Sequence, residues 1–204
     1  ILKKIFPYAY FTILEEISPI FDNKTCYIEL NKTYRSSAEI IDFSNKILGI
    51  NHVSSVRGEN GYPVVLKNEK IATKSIINDI IQMKQDGMRT IAVITKNEKD
   101  SKNLYKKIKE NNTGVEFTLN TITKDCVAIL PSYIAKGLEF DGVIVCNELE
   151  NKYTSREKKL FYVVCTRAQH QLIIYNQPQL TLDKPKILKK KNVGFTNKIG
   201  TSTQ

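Results

Sequence analysis

Three short tracts hold residues whose types could do chemistry on an anion. In Thr33-Tyr34-Arg35-Ser36 an arginine beside an aromatic stands just ahead of a helical pattern, which suits a phosphate and a base respectively. In Ala135-Lys136-Gly137-Leu138-Glu139-Phe140-Asp141, Gly137 permits a tight turn, and Lys136 and Glu139 bring opposite charges to the mouth of a sheet. In the run from Arg156 to Ala168, Leu160, Val163 and Val164 give a core face and leave Arg167 near the helix end, its guanidinium free to be aimed. Each tract also has a plain structural reading, as a turn, a surface loop with an ion pair, and a helix terminus with a favourable cation.

The elements that must carry these tracts follow from periodicity. AYFTIL (Ala9 to Leu14) and CYIEL (Cys26 to Leu30) are short, aromatic and β-branched, and read as strands. A helix is expected from near Ser37, because Ser36 and Glu39 have capping-box spacing and Ile40, Phe43 and Ile47 recur on one face. After the turn-rich stretch from Arg57 to Pro63 come a strand at Val64 to Lys67 and a helix through Ile76, Ile77, Ile80, Ile81 and Lys84, with Gly87 as its stop. TIAVIT (Thr90 to Thr95) reads as a strand buried on both faces, and Asp100 to Asn111 as a helix with Leu104, Tyr105 and Ile108 inward. VAILPSYI, GVIVCN and QLIIYN supply three more strands, with a helix from about Ser155 to Thr166 between the last two. Strands alternating with helices predict an α/β domain with a central, mainly parallel sheet flanked by helices. The tracts then fall at strand and helix ends, where such sheets put their ligands, and both arginines share an edge.

Composition narrows the partners. The 204 residues suffice for one good core, and 41% hydrophobic with 25% charged residues is ordinary for a globular domain. Thirty-one Lys and Arg against 21 acidic residues give a formal charge of +10, which favours a polyanionic partner, nucleic acid first. Cys26, Cys126, Cys146 and Cys165 never fall in a CxxC and read as reduced core residues; His52 and His170 have no partner at metal-ligand spacing, so no metal site is expected. No apolar run approaches the roughly 18 residues of a membrane span, and no signal-peptide pattern opens the chain. Nucleic acid and reduced thiols together point to the cytoplasm. A start at Ile1 without Met suggests an excised fragment.

In this order the three tracts resemble motifs IV, V and VI of UvrD/Rep-type superfamily 1 DNA helicases. YRSSAEIIDFSNKIL, SYIAKGLEFDGVIV and REKKLFYVVCTRAQHQLIIY look closest to the RNA polymerase-associated HelD branch. KGLEFD followed by YVVCTRA carries most of the specificity. The resemblance implies a second RecA-like domain over 21–180, preceded by the end of the first, with a motif III-like strand, over 1–20 and followed by a basic tail over 181–204. It implies that Tyr34 stacks on adenine, that Arg35 and Arg167 contact the γ-phosphate, and that Glu139 contacts the ribose with Lys136 and Gly137 beside it. Ser132 and Tyr133 stand where relatives touch single-stranded DNA.

The chain also departs from the family. Glu15, Glu16 and Pro19 stand where the family usually has Gly-Asp and later a phosphate-sensing Gln. No GxxxxGK followed by Ser or Thr occurs, and no strand-borne Asp-Glu pair for magnesium is identifiable. ATP and Mg²⁺ would therefore be bound mainly by a first RecA-like domain that this sequence lacks. The expected partners are single-stranded or duplex DNA and RNA polymerase, with no membrane. Two rival readings remain: a helicase-like module that binds RNA polymerase or DNA without ATP chemistry, and an unrelated α/β binding domain.

Overall fold

A computed structural model describes residues 30–68, 71–111 and 114–180. The expected strand at Ala9 to Leu14, nearly all of the one ending at Leu30, Glu15, Glu16, Pro19, Cys26 and the basic tail lie outside the described residues.

Two short strands, β1 (Lys32–Thr33) and β2 (Ser54–Ser55), pair in parallel around helix α1 (Ala38–Leu48). Then follow β3 (Val65–Lys67), α2 (Thr73–Gln85), β4 (Ile91–Thr95), α3 (Glu98–Lys109), β5 (Phe117–Leu119), β6 (Val127–Pro131) and the one-turn α4 (Ser132–Ala135). The chain continues with β7 (Phe140–Cys146), a 3₁₀ turn (Ser155–Glu157), α5 (Lys158–Cys165) and β8 (Ala168–Tyr175). Strands β3 to β8 form one six-stranded sheet in the order β3-β8-β7-β4-β6-β5, every pair parallel.

Strict alternation builds the layers. Ala92, Ile94, Ala128, Leu130, Val143, Val145, Leu172 and Ile174 face one core with Ile40 and Ile47 of α1 and Phe161 and Val164 of α5. Their neighbours Ile91, Val93, Val127, Ile129, Ile144 and Ile173 face the other, against Ile76, Ile80, Leu104 and Ile108 of α2 and α3. A strand buried on both faces has no polar side, which is why TIAVIT is nearly continuously apolar. Within it β4 lies between β6 and β7, all five residues of the strand buried.

Several sequence expectations change in detail. The last residues of VAILPSYI leave the sheet as α4, and β7 starts at Phe140, ahead of Gly142. The core face of α5 runs through Phe161, Val164 and Cys165, with Leu160 only packed against it. Gly87 does stop its helix: it sits at φ 87°, and its N–H and that of Met88 bond back to Lys84 and Met83 carbonyls.

Two irregularities position the site. The residues from Ser132 to Glu139 leave the carboxyl end of β6, cross β4 on the α1/α5 face and reach the amino end of β7. Ile134, Ala135 and Leu138 of this strap belong to or pack on that core. In the second, Phe140 pairs with Ala168 but Gly142 pairs with Gln171, so β8 carries one extra residue at Gln169–His170. Such a bulge twists a strand and re-aims its side chains.

Candidate functional site

The arginine loop is fastened before it is aimed. Ser36 Oγ donates to the Ala168 carbonyl (2.6 Å), Ser37 N–H to Gln169 O (2.9 Å) and Ala38 N–H to Gly58 O (2.8 Å). The expected capping box does not form: Ser37 is the N-cap and makes no side-chain cap bond, because Ser36 spends its hydroxyl on β8. Glu39 instead accepts from the N–H groups of Asn60 and Gly61, each at 3.0 Å. Its burial raises its pKa, but these backbone bonds outweigh that and hold it below the usual carboxylate value. Tyr34 and Arg35 are left at the tip, and Tyr34 is 74% exposed.

Arg35 turns back onto the KGLEFD tract. Its Nε donates to Glu139 Oε1, while Gln169 Nε2 donates to Glu139 Oε2 at 2.8 Å. Arg57 Nη1 donates to the Arg35 carbonyl (2.7 Å) and its Nη2 meets His170 Nε2 at 3.4 Å. Lys136 is exposed, and Gly137 makes the turn at φ 88°, where a side chain would be strained although nothing lies within 4 Å of its Cβ position. Two guanidiniums, Arg35 and Arg167, thus act on Glu139, while Arg57 and His170 meet behind the Arg35 loop.

Arg167 corrects one expectation. Its guanidinium is not free: the residue is 7% exposed, with Nε donating to Val163 O (2.9 Å) and Nη1 to Leu138 O (3.1 Å). A partly covered guanidinium at the end of α5 finds carbonyls left over by the helix, and it uses them to tie α5 to the strap. Burial, and then the neighbouring Arg35, lower its pKa, with Glu139 opposing them.

The edge itself is a second correction. Glu139 immediately precedes β7 and Arg167 immediately precedes β8, so the cluster sits at the amino ends of these strands. The carboxyl-end rule locates instead the other candidate pair. Ser132 and Tyr133 follow β6 at the opposite edge. Ser132 is buried and its hydroxyl donates to Lys96 O (2.7 Å), which leaves Tyr133 as the exposed member of the pair. Tyr133 is 57% exposed, with its hydroxyl 3.3 Å from Glu98 Oε2. Glu98 in turn pairs with Lys102 at 2.7 Å, and that pairing lowers its pKa.

Sequence reading missed Arg57 and Gln169. Arg57 lies in a stretch that reads only as turns, and Gln169 is aimed by a bulge that periodicity does not announce. Burial pushes the Cys146 and Cys165 thiols up, consistent with inert core residues, and Cys126 is also a free thiol. Among the described residues no three His, Cys, Asp or Glu side chains converge to hold a metal ion, and no helix is long and apolar enough to cross a membrane.

A parallel sheet covered by helices on both faces defines a RecA-like α/β domain. The model of the UvrD-like helicase C-terminal domain family matches residues 116–178. Among solved structures, the C-terminal domain of a possible DNA helicase from Lactobacillus plantarum WCFS1 is similar at 30% identity, over 73% of this chain and 90% of that one, with a TM-score of 0.59. No curated protein matches. The chain belongs to the family of UvrD-like helicase C-terminal domains. Membership implies a helicase-type function and nucleic-acid binding.

Proposed function

We propose that the chain is the second motor domain of an ATP-driven DNA helicase of superfamily 1, closing on a nucleotide whose phosphates and Mg²⁺ are held mainly by a first RecA-like domain. The carrying observation is the meeting of Arg35, Glu139 and Arg167 at one edge from far-apart positions. An excess of guanidinium over carboxylate suits a triphosphate, and the exposed Tyr34 ring suits a base. Tyr34 stacks on the adenine, Glu139 accepts from the ribose, and Lys136 and Gly137 let the strap approach the nucleotide. Arg35 and Arg167 act as arginine fingers. They meet the charge that develops on the γ-phosphoryl oxygens, Arg35 by leaving Glu139 and Arg167 by leaving the Leu138 carbonyl. ATP supplies the phosphoryl group that is transferred to water. At the far edge Tyr133 meets single-stranded DNA, so closure around ATP alternately tightens and loosens the grip on the strand. The enzyme works in the cytoplasm, where DNA and ATP coexist.

The short span between α1 and the KGLEFD tract favours the compact RNA polymerase-associated HelD branch, with RNA polymerase as a further partner. One observation favours a second reading, a non-catalytic module that binds RNA polymerase or DNA: each nitrogen of the Arg167 guanidinium already has a partner, two backbone carbonyls and a neighbouring hydroxyl.

Steady-state ATP hydrolysis decides between them in a protein that joins this chain to a first motor domain. Arg35→Ala lowers turnover by about 10³ or more if Arg35 is an arginine finger. Unchanged turnover leaves the non-catalytic module. The chain alone hydrolyses no ATP under either reading.

A further inference from the structure

Glu139 is held by two donors of different kinds. Arg35 reaches Oε1 from a loop tip, and its charge is what a phosphate would compete for. Gln169 reaches Oε2 at 2.8 Å from the start of β8, where its backbone cannot drift: its carbonyl accepts from Ser37 N–H, and the preceding Ala168 pairs with Phe140 in register. The extra residue in β8 falls at Gln169–His170 and turns the amide across the strand pair onto the carboxylate.

We propose that Gln169 is a positioning residue for Glu139, retaining one carboxylate oxygen while Arg35 gives up the other, and that it thereby sets the preference of the nucleotide site for ribose over deoxyribose. The inference rests on the reading above, in which Glu139 faces the sugar. A triphosphate takes Arg35, because a polyanion offers the guanidinium more charge than one carboxylate does. A glutamate then deprived of its only fixed donor would sample several rotamers, and its affinity for a sugar hydroxyl would fall by the cost of ordering it. Gln169 removes that cost. Because a glutamine amide is neutral, it leaves the carboxylate its charge, and the freed Oε1 is a strong acceptor for a ribose hydroxyl. A deoxy sugar offers no such donor and gains nothing from the arrangement.

Two measurements test it. In the chain itself, the Glu139 carboxyl carbon is followed by NMR as pH is lowered. Burial raises this carboxyl while the Arg35 and Gln169 bonds lower it, with a net shift downward. Gln169→Leu, which keeps the shape and removes the donor, moves the titration upward, and Gln169→Asn, with a shorter amide, does the same if the leucine variant fails to fold. In the protein with both motor domains, ATP, 2′-deoxy-ATP and 3′-deoxy-ATP compete with a fluorescent ATP analogue at equilibrium. Loss of Gln169 narrows the ratio of ribo to deoxy affinity by roughly three- to tenfold, as expected for one hydrogen bond. If the ratio holds in Gln169→Leu but collapses in Glu139→Gln, the role of Gln169 is overturned and the ribose assignment stands. If Glu139→Gln keeps the ratio too, the assignment of Glu139 falls and takes the inference with it.

Discussion

Arg35 Nε lies 2.5 Å from Glu139 Oε1, joining positions 104 residues apart in sequence. Two side chains that both belong to the proposed nucleotide site are therefore engaged with each other before any nucleotide arrives. In the proposed function, arrival breaks this pair, and the pair sets a threshold for closure.

The same pair gives a pH signature. In Glu139 the burial effect is outweighed by bonds from Arg35 and Gln169, so its folded pKa lies below the 4.5 of a free carboxyl. A carboxylate with a lowered pKa contributes stability that is fully present above the free value and lost as pH falls below it. The two side chains are 40% and 38% exposed, which limits the contribution to less than about 1 kcal/mol. Melting temperature followed from about pH 5 to pH 3 should fall less steeply in Glu139→Gln than in the natural chain. Identical slopes would remove the pair from the stability of the domain.

Arg167→Ala should destabilise the chain by roughly 1–3 kcal/mol, since it strips charged donors from the Val163 and Leu138 carbonyls. Arg167→Lys should recover little, because one ammonium cannot span both acceptors as the planar fork does. Urea unfolding of the chain measures this. Single-turnover hydrolysis in the two-domain protein separates the phosphate role, for which a loss of about 10³ is expected. A stability loss with unchanged hydrolysis would make Arg167 a structural staple.

Tyr133→Ala should weaken binding of a labelled single-stranded oligonucleotide by roughly five- to a hundredfold, the usual worth of a base stacked on an aromatic. Tyr133→Phe keeps the ring and should keep most of the affinity. Fluorescence anisotropy between about 50 and 200 mM salt should also show a steep fall from counterion release. Equal affinity of the alanine variant and the natural chain would move the nucleic-acid contact away from α4.

Two glycines separate crowding from backbone strain. A Cβ on Gly142 would lie 2.8 Å from Met83 Sδ and 3.0 Å from Met88 Sδ, so Gly142→Ala should cost about 1–3 kcal/mol through overpacking. Gly137 has open space but sits at φ 88°, so Gly137→Ala should cost only about 1–2 kcal/mol, from the backbone alone. Chemical denaturation ranks them. Met88→Ala, by making room, should relieve the first and leave the second untouched.

The layers were legible because burial on both faces leaves a strand like TIAVIT no polar position, and the helices announce themselves by Ile76, Ile77 and Ile80 or by Leu104 and Ile108. Motif resemblance named Arg35, Glu139 and Arg167 as candidates, and the structure brings these three side chains together. What stayed hidden depends on long-range partners. The Ser36 and Glu39 spacing fits a capping box, yet β8 and the Asn60–Gly61 turn supply better acceptors and donors. Arg167 looks free at a helix end until the strap brings the Leu138 carbonyl to it. The edge was misread because the tracts were assigned to strand ends without direction, and a parallel sheet has two different ends.

The strap from Ser132 to Glu139 has a mechanical meaning. Peptide units do not stretch, so it acts as a tie rod between the two rims of the sheet, with a swivel where Gly137 takes its positive φ. In the proposed function, a tug on Tyr133 by a passing strand would reach Glu139 along the covalent chain and through the strap's own core residues Ile134, Ala135 and Leu138. Under the proposed function, slack in this rod, set by the compliance of one glycine, would decide how tightly the fuel stroke and the advance along DNA keep time.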